Sequence, residues 1–263
     1  MNRAPASAKI NLALVVGPRR ADGYHEVVTV LQRVALADRV AVEPARALRV
    51  TGFPGDTLVR TALEALAGRA GVEPAWQATI TKQIPVAAGL GGGSSDAATA
   101  LRLANALLQE PRDDLNEIAT GLGTDVPFFL TAGPQLGEGT GATLRPVTLP
   151  ADYWVVLVVP HGETKASTGD VYNAFDGADG FDERRAGLLE AVEAGDLAAL
   201  PANDLASSPL AAELRELGAF RADVTGAGPT VYGLFLDRAD AAAAARALRQ
   251  AGRTWLTVPA WYG

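Results

Sequence analysis

The sequence predicts an α+β fold of two domains, in which strands and helices are mixed. Two patterns of apolar residues support this. Polar and apolar residues alternate at the start of 8–16, as in a strand, and apolar residues recur at helical spacing over 57–70. The elements do not follow a strict strand–helix–strand alternation, so a doubly wound parallel sheet is not expected. A stretch rich in Gly and Pro ends at Pro150 and precedes a fresh apolar run, which predicts domains 1–149 and 150–263.

The first domain is expected to open with strands and to continue with three helices and a further strand. Segments rich in Val and Leu favour strands, and apolar residues three or four apart favour helices. Residues 133–141 contain five Gly or Pro residues and are predicted to form a loop. We predict strands over 8–16, within 26–43 and over 76–84, and helices over 57–70, 95–108 and 113–121.

The second domain is expected to begin with a buried strand. The run from Tyr153 to Val159 is almost continuously apolar, which is typical of a strand covered on both faces. Two strands are expected within 221–236, on either side of a turn that contains Gly and Pro. The other predicted elements are helices over 183–194, 208–217 and 239–250 and a final strand over 253–258.

Composition excludes several classes of function. The 263 residues are 48% hydrophobic and 20% charged, as expected of a globular protein. A net charge of −7 argues against the broad basic surface of a nucleic-acid-binding protein. The lack of cysteine excludes disulfides, cysteine-ligated zinc and thiol catalysis. The segment Met1 to Lys9 does not resemble a signal peptide and no apolar run is long enough for a membrane helix, so a cytoplasmic protein is expected.

The strongest chemical signal is a glycine-rich segment, Ile84 to Asp96, with a helix predicted directly after it. Four glycines within 89–93 allow the backbone to approach a ligand closely and to turn its N–H groups towards it. The helix adds unpaired N–H donors and the positive end of its dipole, so the segment suits a polyphosphate. The alternative is a flexible connector in which Ser94 or Ser95 only caps the helix.

Asp125 is the candidate general base. It stands among glycines and apolar residues in the segment 121–129. A carboxylate in such surroundings can accept the proton of an attacking hydroxyl group. The alternative is that Thr124 or Asp125 caps a helix that has Pro127 in its first turn.

Three other features allow either a functional or a structural interpretation. Lys9 lies among apolar neighbours, and it is either a site residue or an edge-strand lysine that hinders aggregation. Tyr24 can stack on a base and His25 can hydrogen-bond its edge, but both are alternatively half-buried side chains after a tight turn. The glycine-containing segment 224–230 forms either a plain hairpin or a loop that closes over a phosphate.

These segments occur in an order that resembles one enzyme family. Ala8 to Leu12, Pro85 to Ser95 and Thr225 to Gly228 together resemble the GHMP kinases, named for galactokinase, homoserine kinase, mevalonate kinase and phosphomevalonate kinase. The resemblance covers nearly the whole chain and implies a ribosomal-protein-S5-like N-terminal domain, a ferredoxin-like C-terminal domain and a cleft between them. Arg20 to His25 and Gly123 to Pro127 resemble the family members that act on a cytidine-diphosphate-linked methylerythritol.

The resemblance implies an enzyme of the non-mevalonate isoprenoid pathway that uses ATP and Mg²⁺ to phosphorylate a hydroxyl group of that small molecule. Lys9 and Asp125 would form the catalytic pair. Asn11 would hold the erythritol part of the acceptor, and Tyr24 and His25 would hold its cytosine. The other substrate-binding residues, nearby, would be Thr168, Thr225 and Gly226. The ATP phosphates would be bound by Pro85, Val86, Ala87, Ala88, Gly89, Leu90, Gly91, Gly92, Gly93, Ser94 and Ser95.

Two other functions are compatible with the sequence. One is a GHMP kinase with a different small acceptor, such as homoserine or mevalonate, and the other is a non-catalytic nucleotide-binding protein on the same fold. Tyr24 and His25 argue against the first, because an acceptor without a base has no use for them. Lys9 and Asp125 argue against the second. Asp56 stands where relatives commonly carry an asparagine, so no adenine contact is assigned, and neither Mg²⁺ ligands nor an oligomeric state follow from the sequence.

Overall fold

The computed structural model describes residues 2–162, 168–177 and 179–260, and it confirms the predicted α+β class with two separate sheets. The first sheet and its helices are β1 (Asn2–Arg19), β2 (His25–Pro44), β3 (Arg49–Thr51), α1 (Leu58–Ala70), β4 (Trp76–Thr81), α2 (Gly92–Asn105), α3 (Leu115–Leu122), β5 (Gln135–Glu138) and β6 (Thr143–Pro146). The second sheet and its helices are β7 (Trp154–Pro160), α4 (Thr168–Ala174), α5 (Phe181–Ala194), α6 (Pro209–Glu216), β8 (Arg221–Val224), β9 (Val231–Phe235), α7 (Arg238–Ala247) and β10 (Gly252–Thr257). Short 3₁₀ helices cover Pro127–Leu130 and Leu248–Gln250.

The first sheet is organised around a long antiparallel ribbon of β1 and β2. Its strand order is β3-β4-β2-β5-β6, with β1 paired to β2, and the ladder sets Lys9 opposite Arg33. Helices α1 and α2 cover one face of the sheet, where Leu63 and Leu101 are fully buried. Burial of apolar surface on this face is the main stabilising contribution to the first domain.

The second sheet is antiparallel, with the order β10-β7-β9-β8. One of its faces packs against α6 and α7, where Leu214 is fully buried. The other face brings Leu157 and Leu234 into one apolar cluster with Ile10 and Leu12 of β1. Strand β1 therefore packs directly against the second sheet, which places its polar residues between the two halves of the chain. The division at 149/150 stays a prediction.

The outer edge of β1 is covered by other parts of the chain. The Lys9 amide donates to the Leu90 carbonyl at 3.0 Å, and the Asn11 amide donates to the Thr225 hydroxyl at 2.8 Å. The Lys9 side chain is buried and points into the interior. The interpretation of Lys9 as a protective edge-strand lysine is therefore wrong, because the N–H groups of Lys9 and Asn11 at this edge are already bonded to other parts of the chain.

The predicted loop over 133–141 is wrong for its central part. Residues Gln135–Glu138 form β5, which pairs with both β2 and β6, and Leu136 is fully buried. Gly137 is used here for close approach rather than for flexibility, since a Cβ atom at this position would lie 2.8 Å from the Gly141 carbonyl oxygen. Ladder pairing and burial thus outweighed the local turn propensity of the Gly and Pro residues.

Helix α2 is displaced towards the N-terminus relative to its prediction. It begins at Gly92, inside the glycine-rich segment, and ends at Asn105. The end is fixed locally, because the Asn105 side chain both donates to the Arg112 carbonyl and accepts from the Arg112 amide. Strand β3 and helix α4 were not predicted. None of the helices in the described part of the chain is long and apolar enough to cross a membrane.

Candidate active site

A cavity of about 620 Å³ lies where β1, the glycine-rich segment, the turn before β2 and helix α4 meet. Predicted residues from distant parts of the sequence line it together, including Lys9, Asn11, Asp125 and Gly226. The covered edge of β1 explains this gathering, because Lys9 and Asn11 lie between the glycine-rich segment on one side and the β8–β9 turn on the other.

The glycine-rich segment forms the wall of the cavity next to α2. Of the residues 85–95, all but the buried Ser95 line the cavity. Gly89 and Gly91 adopt left-handed backbone angles, with φ of 78° and 69°. A Cβ atom at Gly89 would lie 2.7 Å from the Gly228 carbonyl oxygen, so only glycine allows this approach to the β8–β9 turn.

The N-terminus of α2 is open towards the cavity. Its cap residue is Gly91, and no side chain makes a capping hydrogen bond. The interpretation of Ser94 or Ser95 as a cap is therefore wrong, since both lie within the first turn of the helix. The first N–H groups of a helix lack partners within it and carry its positive partial charge, so this end of the cavity suits an anion.

Lys9 and Asp125 form an ion pair inside the cavity. The Lys9 ammonium is 3.6 Å from an Asp125 carboxylate oxygen, and the two side chains are 7% and 41% exposed. The helix after Asp125 begins at Pro127 and has no side-chain cap, so the interpretation of Asp125 as a cap is wrong. The carboxylate thus remains accessible from the cavity while a buried cation stands beside it.

Asn11 connects Lys9 to both domains. Its side-chain oxygen accepts from the Lys9 ammonium at 2.7 Å and from the Thr225 hydroxyl at 3.3 Å. Its side-chain nitrogen donates to the Thr29 hydroxyl at 2.8 Å. Thr225 is fully buried, whereas Gly226 next to it lines the cavity. The turn 225–230 is therefore both a hairpin between β8 and β9 and a part of the cavity wall.

Tyr24 and His25 also line the cavity but differ in burial. Tyr24 is 61% exposed, whereas the His25 ring is buried and its Nδ1 lies 2.9 Å from the Gly17 carbonyl oxygen. The interpretation of both as half-buried side chains is therefore wrong. The backbone of Thr168 begins α4, but the predicted contact of its side chain lies outside the described residues.

Tyr172 is a residue of this cavity that sequence analysis missed. It lies on α4, and its ring centroid is 6.1 Å from that of His25. Burial raises the pKa of Tyr172, and the charge of Asp125 adds to the effect. A signal was present, because Tyr172 follows Thr168 by one helical turn and so lies on the same face of the helix.

Lys82 also lines the cavity and forms a second charged cluster beside the glycine-rich segment, which was not predicted either. Its ammonium donates to Asp38 and, at 2.8 Å, to Asp96. Asp38 also accepts from the amides of Gln83 and Ile84, whereas the second oxygen of Asp96 has no partner in the described part of the chain. Burial raises the pKa of Asp96 to about 7 despite the hydrogen bond from Lys82, and the charge of Asp38 acts in the same direction.

Comparisons with known proteins agree with this geometry. Residues 57–133 match the family model of the GHMP kinases N-terminal domain, and residues 188–254 match that of the GHMP kinases C-terminal domain. A protein of Anaeromyxobacter sp. (strain Fw109-5) named 4-diphosphocytidyl-2-C-methyl-D-erythritol kinase is 41% identical, over 93% of this chain and 86% of its own length. One of the same name from Chlorobium phaeobacteroides (strain BS1) is 37% identical over 97% and 96%.

Solved structures show the same relation. A crystal structure of 4-(cytidine 5'-diphospho)-2C-methyl-D-erythritol kinase superposes with a TM-score of 0.84 at 33% identity and covers 100% of both chains. A homoserine kinase from Cytophaga hutchinsonii superposes with a TM-score of 0.73 at 17% identity, over 97% of this chain and 94% of its own, and shares the fold alone.

Proposed function

The chain belongs to the GHMP kinase family and, within it, to the 4-diphosphocytidyl-2-C-methyl-D-erythritol kinases, and we propose that it phosphorylates the 2-hydroxyl group of 4-diphosphocytidyl-2-C-methyl-D-erythritol with ATP. The products are the 2-phosphate and ADP, and the reaction belongs to the non-mevalonate route to isoprenoid precursors. One observation carries the proposal above all. A single cavity joins an anion-binding helix end, a Lys–Asp pair and an aromatic end that suits a base.

Asp125 acts as the base in this proposal. The acceptor hydroxyl lies between Asp125 and the γ-phosphate, and the carboxylate takes the hydroxyl proton as the new O–P bond forms. The bond from the γ-phosphorus to the bridging oxygen breaks, and ADP leaves with that oxygen. Lys9, 3.6 Å from Asp125, offsets the negative charge that develops on the phosphoryl group.

The ATP phosphates lie against the glycine-rich segment in this proposal. Backbone N–H groups at the start of α2 donate to phosphate oxygens, and Ser94 adds a hydroxyl group on the cavity wall. In the described part of the chain no group of three or more His, Asp or Glu side chains is arranged to hold a metal ion. Mg²⁺ fits this site only if phosphate oxygens supply most of its ligands, with the Ser94 hydroxyl on the cavity wall as a protein donor, and it would neutralise part of the phosphate charge.

The cytosine lies against the aromatic side chains of the cavity in this proposal. Tyr24 offers an exposed ring for stacking, and Tyr172 of α4 lines the same cavity beside His25. The His25 ring is held by the Gly17 carbonyl oxygen through Nδ1, which leaves Nε2 for the edge of the base.

³¹P NMR of the purified protein with ATP, Mg²⁺ and 4-diphosphocytidyl-2-C-methyl-D-erythritol tests the proposal directly. A new phosphomonoester signal that grows together with ADP is expected. Homoserine and mevalonate serve as control acceptors and should give no such signal. Turnover with a control acceptor alone would reassign the substrate, and bound ATP without turnover on any acceptor would favour a non-catalytic nucleotide-binding protein.

Substitution of Tyr24 tests the assignment of the cytosine end. Tyr24→Ala removes the stacking surface and should raise the KM for the acceptor about 10-fold or more, with the KM for ATP unchanged, since stacking on one base is worth about 1–3 kcal/mol. Tyr24→Phe is the matched control, because it keeps the ring and should stay near the native value. An equal rise of both KM values in Tyr24→Ala would show that the cytosine lies elsewhere.

A further inference from the structure

We infer that Thr29 is a positioning residue for the proposed reaction, which holds the Lys9 ammonium in place through the amide of Asn11. This inference rests on the proposed function, in which Lys9 acts on the transferring phosphoryl group. Thr29 lies on β2, is buried, and makes its side-chain hydrogen bonds within the protein.

The donor and the acceptor in each hydrogen bond that links Ala13, Thr29 and Asn11 follow from the number of hydrogens that each group carries. A hydroxyl group has one hydrogen to donate, and Thr29 donates it to the Ala13 carbonyl oxygen at 2.7 Å. The same hydroxyl can then only accept from Asn11, whose side chain approaches at 2.8 Å. The end of the Asn11 side chain that faces Thr29 must therefore be its NH₂ group, and its oxygen must face the other way.

That orientation matters for Lys9. An ammonium group has three donors and no acceptor, so it needs the oxygen of Asn11 rather than its nitrogen. The Asn11 oxygen lies 2.7 Å from the Lys9 ammonium, which stands in turn 3.6 Å from Asp125. If the amide were reversed, two donors would face each other at this distance, and the ammonium would move away from its position beside Asp125.

The second domain supports the same orientation from the opposite side. The Thr225 hydroxyl accepts from the Asn11 backbone amide at 2.8 Å and donates to the Asn11 side-chain oxygen at 3.3 Å. Thr225 alone leaves the NH₂ group of Asn11 without an acceptor inside the protein. Thr29 supplies that acceptor, and its own orientation is set by a backbone carbonyl that cannot rotate.

The space for Thr29 is also built into the fold. Thr29 stands opposite Gly137 in the β2–β5 ladder, and a Cβ atom at Gly137 would lie 3.1 Å from the Thr29 methyl group. The absence of a side chain at Gly137 therefore leaves room for the branched Thr29 to point its hydroxyl at Asn11. Valine has the shape of threonine and fits the same space, but it can neither accept from the Asn11 side-chain amide nor donate to the Ala13 carbonyl oxygen.

The experiment compares Thr29→Val with Thr29→Ser, which keeps the hydroxyl group. Thr29→Val should lower kcat about 10- to 100-fold, because a displaced catalytic group loses alignment with the reacting atoms, while the KM for ATP stays within about twofold. Thr29→Ser should recover most of the native kcat. Native kcat in Thr29→Val, or an equal loss in both variants, would overturn the inference.

NMR of the lysine side chains provides a readout that does not depend on activity. The chain has only three lysines, so the Lys9 side-chain signals can be assigned with Lys9→Met and followed in the free protein. They should shift in Thr29→Val and coincide with the native signals in Thr29→Ser. Unshifted Lys9 signals in Thr29→Val would overturn the inference.

If Thr29→Val does not fold, Thr29→Ala carries the same comparison. A native protein that does not phosphorylate the acceptor contradicts the proposed function, but the NMR result still decides the role of Thr29.

Discussion

Lys9 and Lys82 are two of the three lysines of the chain, and both lie against the glycine-rich segment in opposite electrostatic settings. Lys9 has an amide oxygen and one accessible carboxylate as partners. Lys82 lies between Asp38 and Asp96, which are both completely buried. The acid beside Lys9 can therefore exchange protons with a ligand, whereas those beside Lys82 hold a strand end and a helix start together. Lys9 and Lys82 therefore differ in whether their partner acids are accessible to a ligand.

The largest effect is expected at the accessible acid. Asp125→Asn keeps the shape of the side chain but removes the base, so kcat should fall by about 10²- to 10⁴-fold. The thermal midpoint should change little, because the side chain is 41% exposed and caps no helix. Steady-state kinetics together with a thermal melt checks this. Turnover at the native rate would show that Asp125 is not the base. The accessible acid beside Lys9 would then have no functional role that distinguishes it from the buried acids beside Lys82.

Substitution of each lysine should show whether that lysine contributes mainly to stability or mainly to activity. Lys82→Met leaves two buried carboxyl groups without their common cation and should lower the free energy of unfolding by about 3–5 kcal/mol. Lys9→Met should abolish most activity but lower the free energy of unfolding by at most about 1 kcal/mol, because Asp125 remains hydrated. Urea unfolding of both variants measures the difference. Equal destabilisation would mean that accessibility of the acid does not distinguish the two sites.

The last expected effect is a dependence of stability on pH. Asp96 has a pKa of about 7 in the folded protein against 3.8 for the free side chain, so the folded state binds more protons between these values. The free energy of unfolding should therefore decrease as pH rises through this window. Asn cannot titrate, so the stability of Asp96→Asn relative to the native chain should increase with pH, by at most about 1.4 kcal/mol per unit.

Urea unfolding at several pH values between about 4.5 and 8 measures this dependence. The two proteins should diverge across the window and run parallel above it. Parallel curves throughout would show that Asp96 is ionised over the whole range, so that Lys82 balances both acids. The electrostatic difference between the Lys82 cluster and the Lys9 site would then be smaller than the burial of Asp96 indicates.

Much of the fold could be predicted from local patterns. The helix over 58–70 and the buried strand from Trp154 follow from the apolar pattern of the sequence, because burial of one face of a helix or of both faces of a strand dictates that pattern. The strand over 135–138 could not be predicted in this way. Gly137 and the Gly and Pro residues on either side of the strand favour a turn locally. Only pairing with β2, which is distant in sequence, and with β6, which follows in the chain, makes this segment a strand.

The candidate site divides along the same line. The sequence by itself determined the order of the family's motifs and, through that resemblance, the reaction class and the residues Lys9 and Asp125 as the expected pair. Only the tertiary structure decided that both acids paired with Lys82 are completely buried, and that Tyr172 and Thr29 line the cavity. The physical reason is that accessibility and hydrogen-bond direction depend on contacts between residues far apart in the chain, which neither spacing nor propensity records.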